Sequence, residues 1–326
     1  MNLAATLKKL LGRRFHVRYP LARRTTWGIG GCADFFAEVH DERELAAVVR
    51  AAKRVRQPVT VLGFGSNLLV ADEGIRGLTL TLAGRFTESV LEKQRDLRVG
   101  GAVRVPKFVM FAARHGFTGM EGLVGIPGTV GGAIVMNAGI PGCQTKDHLI
   151  AVRVCDIKKG KFSLQRPRPG SFGYRRSPYQ SGRYLVVEGI FRFPLATDRV
   201  GVLQIIKGQM RRRQVTQPVN ERNAGSVFVN PTGDFAARLI DASGLKGMKV
   251  GGAQVSVKHA NFIVNTGAAS AYDVLELMAW VRRKVREVHG VSLKPEVRFV
   301  GAFKTDPLRY LGITRHATAP LARRSP

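Results

Sequence analysis

The chain has 326 residues, 44% hydrophobic and 23% charged, a balance that excludes wholesale disorder and predicts about two domains. Its 52 Lys and Arg against 23 Asp and Glu leave a formal charge of +29, which favours polyanions, acidic metabolites or anionic surfaces as partners. The basic residues lie in small scattered clusters such as Arg13-Arg14 and Arg211-Arg212-Arg213, without interleaved aromatics or a helix-turn-helix signature, so nucleic acid is not expected as the main ligand.

The N-terminus, MNLAATLKKLLGRRF, is amphipathic and basic but lacks an apolar core of signal-peptide length, and reads as a short surface helix. Asp41 with Glu44 forms a capping pattern; Leu45, Val49 and Ala52 then repeat at helical spacing until Gln57-Pro58. PVTVLGFG follows as a strand running into glycine, which makes an α/β unit. A second helix is predicted from Pro106 to His115, closed by Gly116. GLVGIPGTVGGAIVMNAGIPGCQT (Gly122–Thr145) then runs 24 residues without Asp, Glu, Lys, Arg or His. Its seven glycines and two prolines prevent one continuous helix, which excludes a transmembrane span.

From Ala151 the segments AVRVCDI, GKFSLQ and RYLVVEGIFRFP read as strands. A helix from Val200 to Arg213 leads to NERNAGSVFVNP, followed by a short helix at Phe235–Ala242 and strand-like AQVSV and NFIVN. A long helix from Ser270 to His289 is capped by Ser270 with Asp273 and closed by Gly290. VGGA recurs at Val99, Val130 and Val250 without a common period, so no repeat architecture is expected. Cys32, Cys143 and Cys155 lack CxxC or Cys/His spacing, which predicts free thiols in a reducing cytosol and no structural metal.

LGFGSNLLV (Leu62–Val70) ends a strand in Gly-x-Gly-Ser-Asn. Leu68 occupies the third glycine of a dinucleotide fingerprint, so a Rossmann assignment fails, and no Gly run precedes a GK[ST]. What remains is a turn exposing backbone N–H groups beside Ser66 and Asn67, suited to an anionic oxygen. In GIPGTVGGAIVMNAG, Pro127 starts a turn, Gly128 permits positive φ and Gly131-Gly132 admit close backbone approach. A pyrophosphate held there by N–H dipoles needs no cation. A glycine-packed core crossing is the alternative.

Two such elements about 60 residues apart resemble the flavin-binding domain of the vanillyl-alcohol-oxidase type. RTTWGIGGCADF, LGFGSNLLVADEGIRGL, GLVGIPGTVGGAIVMNAG, FGYRRSPY, NAGSVFVNP, LIDASGLKGMKVGGAQVSVKHANFIVN and PEVRFVG occur in the order seen in the UDP-N-acetylenolpyruvylglucosamine reductase family, and span Tyr19 to Gly301. The resemblance implies an α+β fold with a PCMH-type FAD-binding domain over 1–197, made of two α/β lobes (about 1–80 and 81–197). It also implies an α+β substrate domain over 198–301, whose segment near 295–301 returns to the first lobe, and leaves a basic tail over 302–326.

The implied reaction reduces the enolpyruvyl ether of UDP-N-acetylenolpyruvylglucosamine to UDP-N-acetylmuramate, a cytoplasmic peptidoglycan precursor. FAD is implied as a non-covalent cofactor and NADPH as co-substrate. The short passage between FGYRRSPY and NAGSVFVNP matches the shorter, type II form, and a monomer is expected. By motif position, Gly63, Gly65, Ser66, Asn67 and Leu68 belong to one FAD loop. Pro127, Gly128, Thr129, Gly131, Gly132, Asn137 and Gly139 belong to the other.

Hydride addition to the enolpyruvyl CH2 carbon builds negative charge on the neighbouring carbon and its carboxylate, which calls for a cation and an acid. The resemblance assigns Arg175 to the carboxylate, Ser226 to proton donation, and Glu296 to enolate stabilisation, either protonated or paired with Arg175. Tyr174, Asn230 and His259 fall at substrate-contact positions. Two departures stand out: Val229 where a polar residue is frequent, and Cys32 at a usual proline. An FAD-linked oxidase with a covalent His or Cys flavin link is the competing reading.

Overall fold

Helix α1 (Leu3–Leu11) places Leu3, Leu7 and Leu11 on one face by their i, i+4 spacing, and all three are buried. The computed structural model, which describes residues 2–92 and 95–314, packs them into one cluster with Leu45, Val48 and Val49 of α2 (Glu42–Arg54). The N-terminal helix expected at the surface is therefore half core. Helix α2 starts as predicted: Asp41 accepts the Glu44 backbone N–H at 2.9 Å, and Glu44 accepts that of His40 at 2.8 Å.

The first lobe carries β1 (Phe15–Pro20), β2 (Cys32–Val39), β3 (Val59–Val61), β4 (Leu68–Val70) and β5 (Ile75–Leu82). Its sheet has the order β1-β2-β5-β3, with β1 antiparallel to β2 and the remaining pairs parallel. β3 is reached through α2, a crossover typical of a parallel pair. It ends directly in the glycine turn at Gly63.

The second lobe contains β6 (Ser89–Leu91), β7 (Asp96–Gly100), α3 (Val105–Arg114), α4 (Val130–Met136), β8 (Gly139–Ile140), β9 (Cys143–Gln144), β10 (Leu149–Asp156), β11 (Lys161–Gln165) and β12 (Tyr184–Arg192). An antiparallel sheet of order β11-β10-β12-β7-β6 is covered on one face by α3 and α4. Its other face sends Cys155, Leu185 and Val187 into the α1–α2 cluster, so the two lobes share a core. Arg153 and Glu42 form a two-pronged ion pair across the same junction.

The third part comprises α5 (Arg199–Thr216), β13 (Arg222–Ser226), β14 (Phe228–Val229), α6 (Ala236–Ala242), β15 (Lys249–Val250), β16 (Ala253–Val255), β17 (Phe262–Asn265), α7 (Ala271–His289), β18 (Lys294–Pro295), β19 (Arg298–Val300) and α8 (Pro307–Tyr310). Helices α6 and α7 pack on a sheet of order β13-β17-β16-β15. Ser270 and Asp273 form the predicted capping box, and Gly290 ends α7 with φ 69°. Helix α5 follows the boundary expected near 197, yet Val202 and Ile206 enter the second lobe's core.

Two features tie the third part to the first lobe. Trp27, fully buried, donates its indole N–H to the Ile263 carbonyl at 2.7 Å and shares a core with α7. β19 pairs in parallel with β4, so residues 298–300 run beside the first lobe. The segment expected as a basic tail from 302 is ordered at its start. α8 follows, and Leu311, 4% exposed, packs into the α7 core with Phe303 and Ile313. Residues 315–326 of that segment lie outside the described residues. Among the described residues no helix is long and apolar enough to cross a membrane, and no group of three or more His, Cys, Asp or Glu could hold a metal ion.

Candidate active site

The three parts meet around a cavity of about 690 Å³, within the range of cofactor pockets. Its base is made of the two glycine segments. Gly65 has φ 71°, and an added Cβ would strike the Arg24 carbonyl oxygen, so only glycine fits. Ser66 Oγ donates to the Pro127 carbonyl at 2.8 Å and ties the first loop to the second. Gly128, at φ 142°, accepts the Val105 N–H at 3.0 Å, while Thr129 Oγ1 accepts the Gly132 N–H at 3.3 Å and caps α4. Gly63, Gly128 and Gly132 line the cavity. A Cβ added at any of them would meet nothing nearer than a hydroxyl oxygen at 3.2 Å. These absent side chains leave volume over bare backbone. All the glycines named in both loops, with Ser66, Asn67, Leu68, Pro127 and Thr129, line it.

Arg175, Ser226 and Glu296, scattered over the sequence, all line the same cavity. Arg175 lies within a tight turn in which Gly173 and Arg176 exchange backbone hydrogen bonds at 3.0 Å, and it takes φ 53°. That unusual backbone turns its side chain inward, while Arg176 stays exposed. Arg175 Nη1 donates to the Gly139 carbonyl at 3.1 Å, and Nε pairs with Glu296 Oε1. Glu296 is clamped through its own backbone. Its N–H donates to the Val227 carbonyl at 2.8 Å, and its carbonyl accepts from Asn67 Nδ2 at 3.3 Å. Burial pushes the Glu296 carboxyl above the usual range, and Arg175 pulls it the other way. Glu296 is paired with Arg175, one of the two states expected for it, while Arg298 donates to the Gln180 carbonyl at 3.3 Å.

Ser226 ends β13 opposite Phe262, after a turn in which Asn223 Oδ1 accepts the Gly225 N–H at 2.9 Å and Gly225 takes φ 76°. Its hydroxyl has no hydrogen-bond partner among the described residues, which leaves it free for a ligand.

Four residues named from sequence are not brought to the cavity. Asn137 is 1% exposed and its amide is spent internally. Nδ2 donates to Gln144 Oε1 and the Gly173 carbonyl, both at 2.8 Å, and Oδ1 accepts the Lys146 N–H at 3.1 Å. Its effect on the site is indirect, since Gly173 belongs to the turn that presents Arg175. Asn230 Oδ1 accepts the Ala236 N–H at 3.0 Å and so satisfies the start of α6. His259 accepts the Asn261 N–H at Nδ1, packs edge-on against Phe262, and is held below the usual histidine range by burial. Tyr174 is 53% exposed, with its ring beneath the Arg175 guanidinium at 4.9 Å. Val229, expected from the resemblance to be polar, pairs with Lys294 in a two-residue ladder and does not line the cavity.

Conversely, Arg104, Arg213, Gln217 and Arg298 line the cavity and were not picked out from sequence. Burial lowers the guanidinium pKa of all three arginines. Arg104 Nε, Arg213 Nε and Gln217 Oε1 are buried without partners, an arrangement that asks for a polar, anionic occupant. A signal existed for Arg213: it stands two helical turns after buried Ile206, on the same face of α5. Gly125 makes room for it, because a Cβ there would strike its Cδ. Open backbone, orphaned donors and cations thus fit a dinucleotide cofactor such as FAD.

Residues 33–163 match the FAD binding domain family, and residues 217–300 match the UDP-N-acetylenolpyruvoylglucosamine reductase C-terminal domain. UDP-N-acetylenolpyruvoylglucosamine reductase 2 of Symbiobacterium thermophilum is 45% identical over 86% of this chain and 91% of its own. A reductase of the same name from Synechococcus sp. WH7803 is 43% identical over 87% and 92%. The crystal structure of UDP-N-acetylenolpyruvylglucosamine reductase (MurB) from Thermus caldophilus superposes with a TM-score of 0.74 at 39% identity, over 88% of this chain and 98% of that one. The chain belongs to the UDP-N-acetylenolpyruvoylglucosamine reductase family.

Proposed function

We propose that this family member reduces the enolpyruvyl ether of UDP-N-acetylenolpyruvylglucosamine to UDP-N-acetylmuramate, with NADPH as electron source and FAD bound non-covalently in the cavity. The observation that carries the reading is the convergence of Arg175, Glu296 and Ser226 on one cavity floored by two glycine loops. FAD, when bound, supplies hydride transfer between NADPH and the substrate. The glycine loops would hold its diphosphate by backbone N–H groups. No His or Cys stands among the described residues lining the cavity, which favours a non-covalent flavin over the covalently linked oxidase reading.

The chain's own residues meet the remaining demands. As hydride reaches the substrate's CH2 carbon, electron density moves to the adjacent carbon and its carboxylate. Arg175 presents a planar fork to that carboxylate. Glu296, whose carboxyl burial pushes above the usual range while Arg175 pulls it down, orients Arg175 and can share a proton with the developing enolate. Ser226, with a hydroxyl engaged by no group among the described residues, delivers the proton to the carbon. Arg213, Gln217 and Arg298 add polar contacts for the anionic parts of substrate and cofactors. Three unpaired cysteines support a reducing, cytoplasmic setting.

The test is NADPH oxidation by the purified, flavin-loaded protein with and without UDP-N-acetylenolpyruvylglucosamine. Strong substrate dependence with UDP-N-acetylmuramate as product is expected. Oxidation indifferent to that substrate overturns the proposal.

A further inference from the structure

We propose that Arg104 is a phosphate-binding residue of this cavity, supplying a side-chain cation to the FAD diphosphate where the two glycine loops meet. The inference rests on the reading of the cavity as an FAD site. It departs from a diphosphate held by backbone dipoles alone.

Arg104 occupies the N-cap position of α3, yet its side chain caps nothing. Its backbone bridges to Thr129 of the second loop, and the next residue, Val105, donates to the Gly128 carbonyl at 3.0 Å. Its guanidinium lies over the ring of Phe64, with Cζ 3.1 Å from the centroid. Phe64 sits between Gly63 and Gly65 of the first loop. One residue therefore touches both loops, the second through its backbone and the first through its guanidinium, at the point where Ser66 ties them together.

Stacking on Phe64 occupies a face of the guanidinium and leaves its N–H groups, which lie in its plane, for other partners. Among the described residues they find none: Nε is buried and unpaired, and Arg104 has no salt bridge. Glu296 is the only acid among the described residues lining the cavity, and it is paired with Arg175. A partly buried cation with no counter-charge among the described residues, next to two backbone loops that expose N–H groups, is missing an anion. A diphosphate supplies one with the geometry a guanidinium prefers.

The test compares wild type, Arg104→Met and Arg104→Lys as flavin-free proteins, titrated with FAD and with riboflavin by flavin fluorescence across a range of salt concentrations. Thermal unfolding of each flavin-free protein checks that it is folded. Arg104→Met is expected to weaken FAD binding about tenfold or more, to flatten its salt dependence, and to leave riboflavin, which carries no phosphate, bound as by wild type. Arg104→Lys should keep most of the affinity and the salt dependence. Unchanged FAD affinity in Arg104→Met overturns the inference. So does an equal loss for FAD and riboflavin, or an Arg104→Lys protein as weak as Arg104→Met. If Arg104→Met does not fold, the Lys variant and the wild-type salt dependence decide. FAD binding by wild type that is indifferent to salt overturns it too. A wild type that takes up no flavin would instead sink the FAD reading itself.

Discussion

Arg175 and Glu296 stand 121 residues apart in sequence and form an ion pair on the wall of the cavity, with side chains only 22% and 12% exposed. Each is fixed independently: Arg175 by a left-handed backbone and the Gly139 carbonyl, Glu296 by hydrogen bonds to Val227 and Asn67. The pair is thus presented as a unit rather than assembled by substrate, which is what preorganised charge stabilisation requires.

Removing Arg175 leaves Glu296 buried without its partner. Burial raises its folded pKa, so the native state favours the protonated form. That contribution is fully present below the ordinary carboxyl range and is lost as pH rises through the folded value; Arg175 opposes the loss. Arg175→Met should cost about 1–3 kcal/mol at neutral pH, and the deficit should shrink on acidification to about pH 5. Urea unfolding at both pH values measures it, and a pH-independent deficit would contradict the coupling.

Ser226→Ala removes the hydroxyl proposed to deliver the proton. Turnover should fall by about 10²–10⁴-fold, while flavin reduction by NADPH proceeds near the wild-type rate. Stopped-flow measurement of the two half-reactions separates them. Equal loss in both would show that Ser226 shapes the site instead of acting on the substrate.

Gly65 and Gly132 should respond oppositely to alanine. Gly65→Ala meets both a positive φ and the Arg24 carbonyl, so loss of folded protein is expected. Gly132 lies within α4 at negative φ, with nothing nearer than 3.5 Å to a new Cβ. Gly132→Ala should raise the thermal stability of the flavin-free protein by about 0.5–1 kcal/mol. Its methyl, facing the cavity, should still weaken FAD binding. A Gly132→Ala protein that binds FAD as tightly as wild type would show that the loop does not touch the cofactor.

Trp27→Phe keeps a large ring in the core but removes the hydrogen bond to the Ile263 carbonyl that joins the first lobe to the third part. A loss of about 1–3 kcal/mol in denaturant unfolding is expected. A loss near zero would mean that this junction is held by packing alone.

Much of the local structure was legible in the chain because short-range chemistry dictates it. Asp41 with Glu44, and Ser270 with Asp273, announce helix starts that form with those side chains bonded as expected. Gly116 and Gly290 end helices at positive φ. The uncharged stretch from Gly122 to Thr145 could be excluded as a membrane span by its glycines and prolines, and it folds into a turn, α4 and a small hairpin. Less legible were side chains whose work depends on partners far away. Asn137 and Asn230 sit inside motifs that point to ligands, yet their amides complete the backbone bonding of neighbouring turns. Arg213 looked like one member of a surface basic cluster, although its spacing from Ile206 already placed it on the inner face of α5.

By itself, the sequence determined the elements, the two glycine loops and the motif order that identifies the family, since periodicity, capping and positive φ act within a few residues. Only the tertiary structure decided that Arg175 meets Glu296, that Ser226 keeps its hydroxyl free, and that Arg104 and Arg213 face the cavity unpaired. Burial and hydrogen-bond satisfaction are properties of neighbours in space, and here those neighbours come from three parts of the chain that touch only when folded.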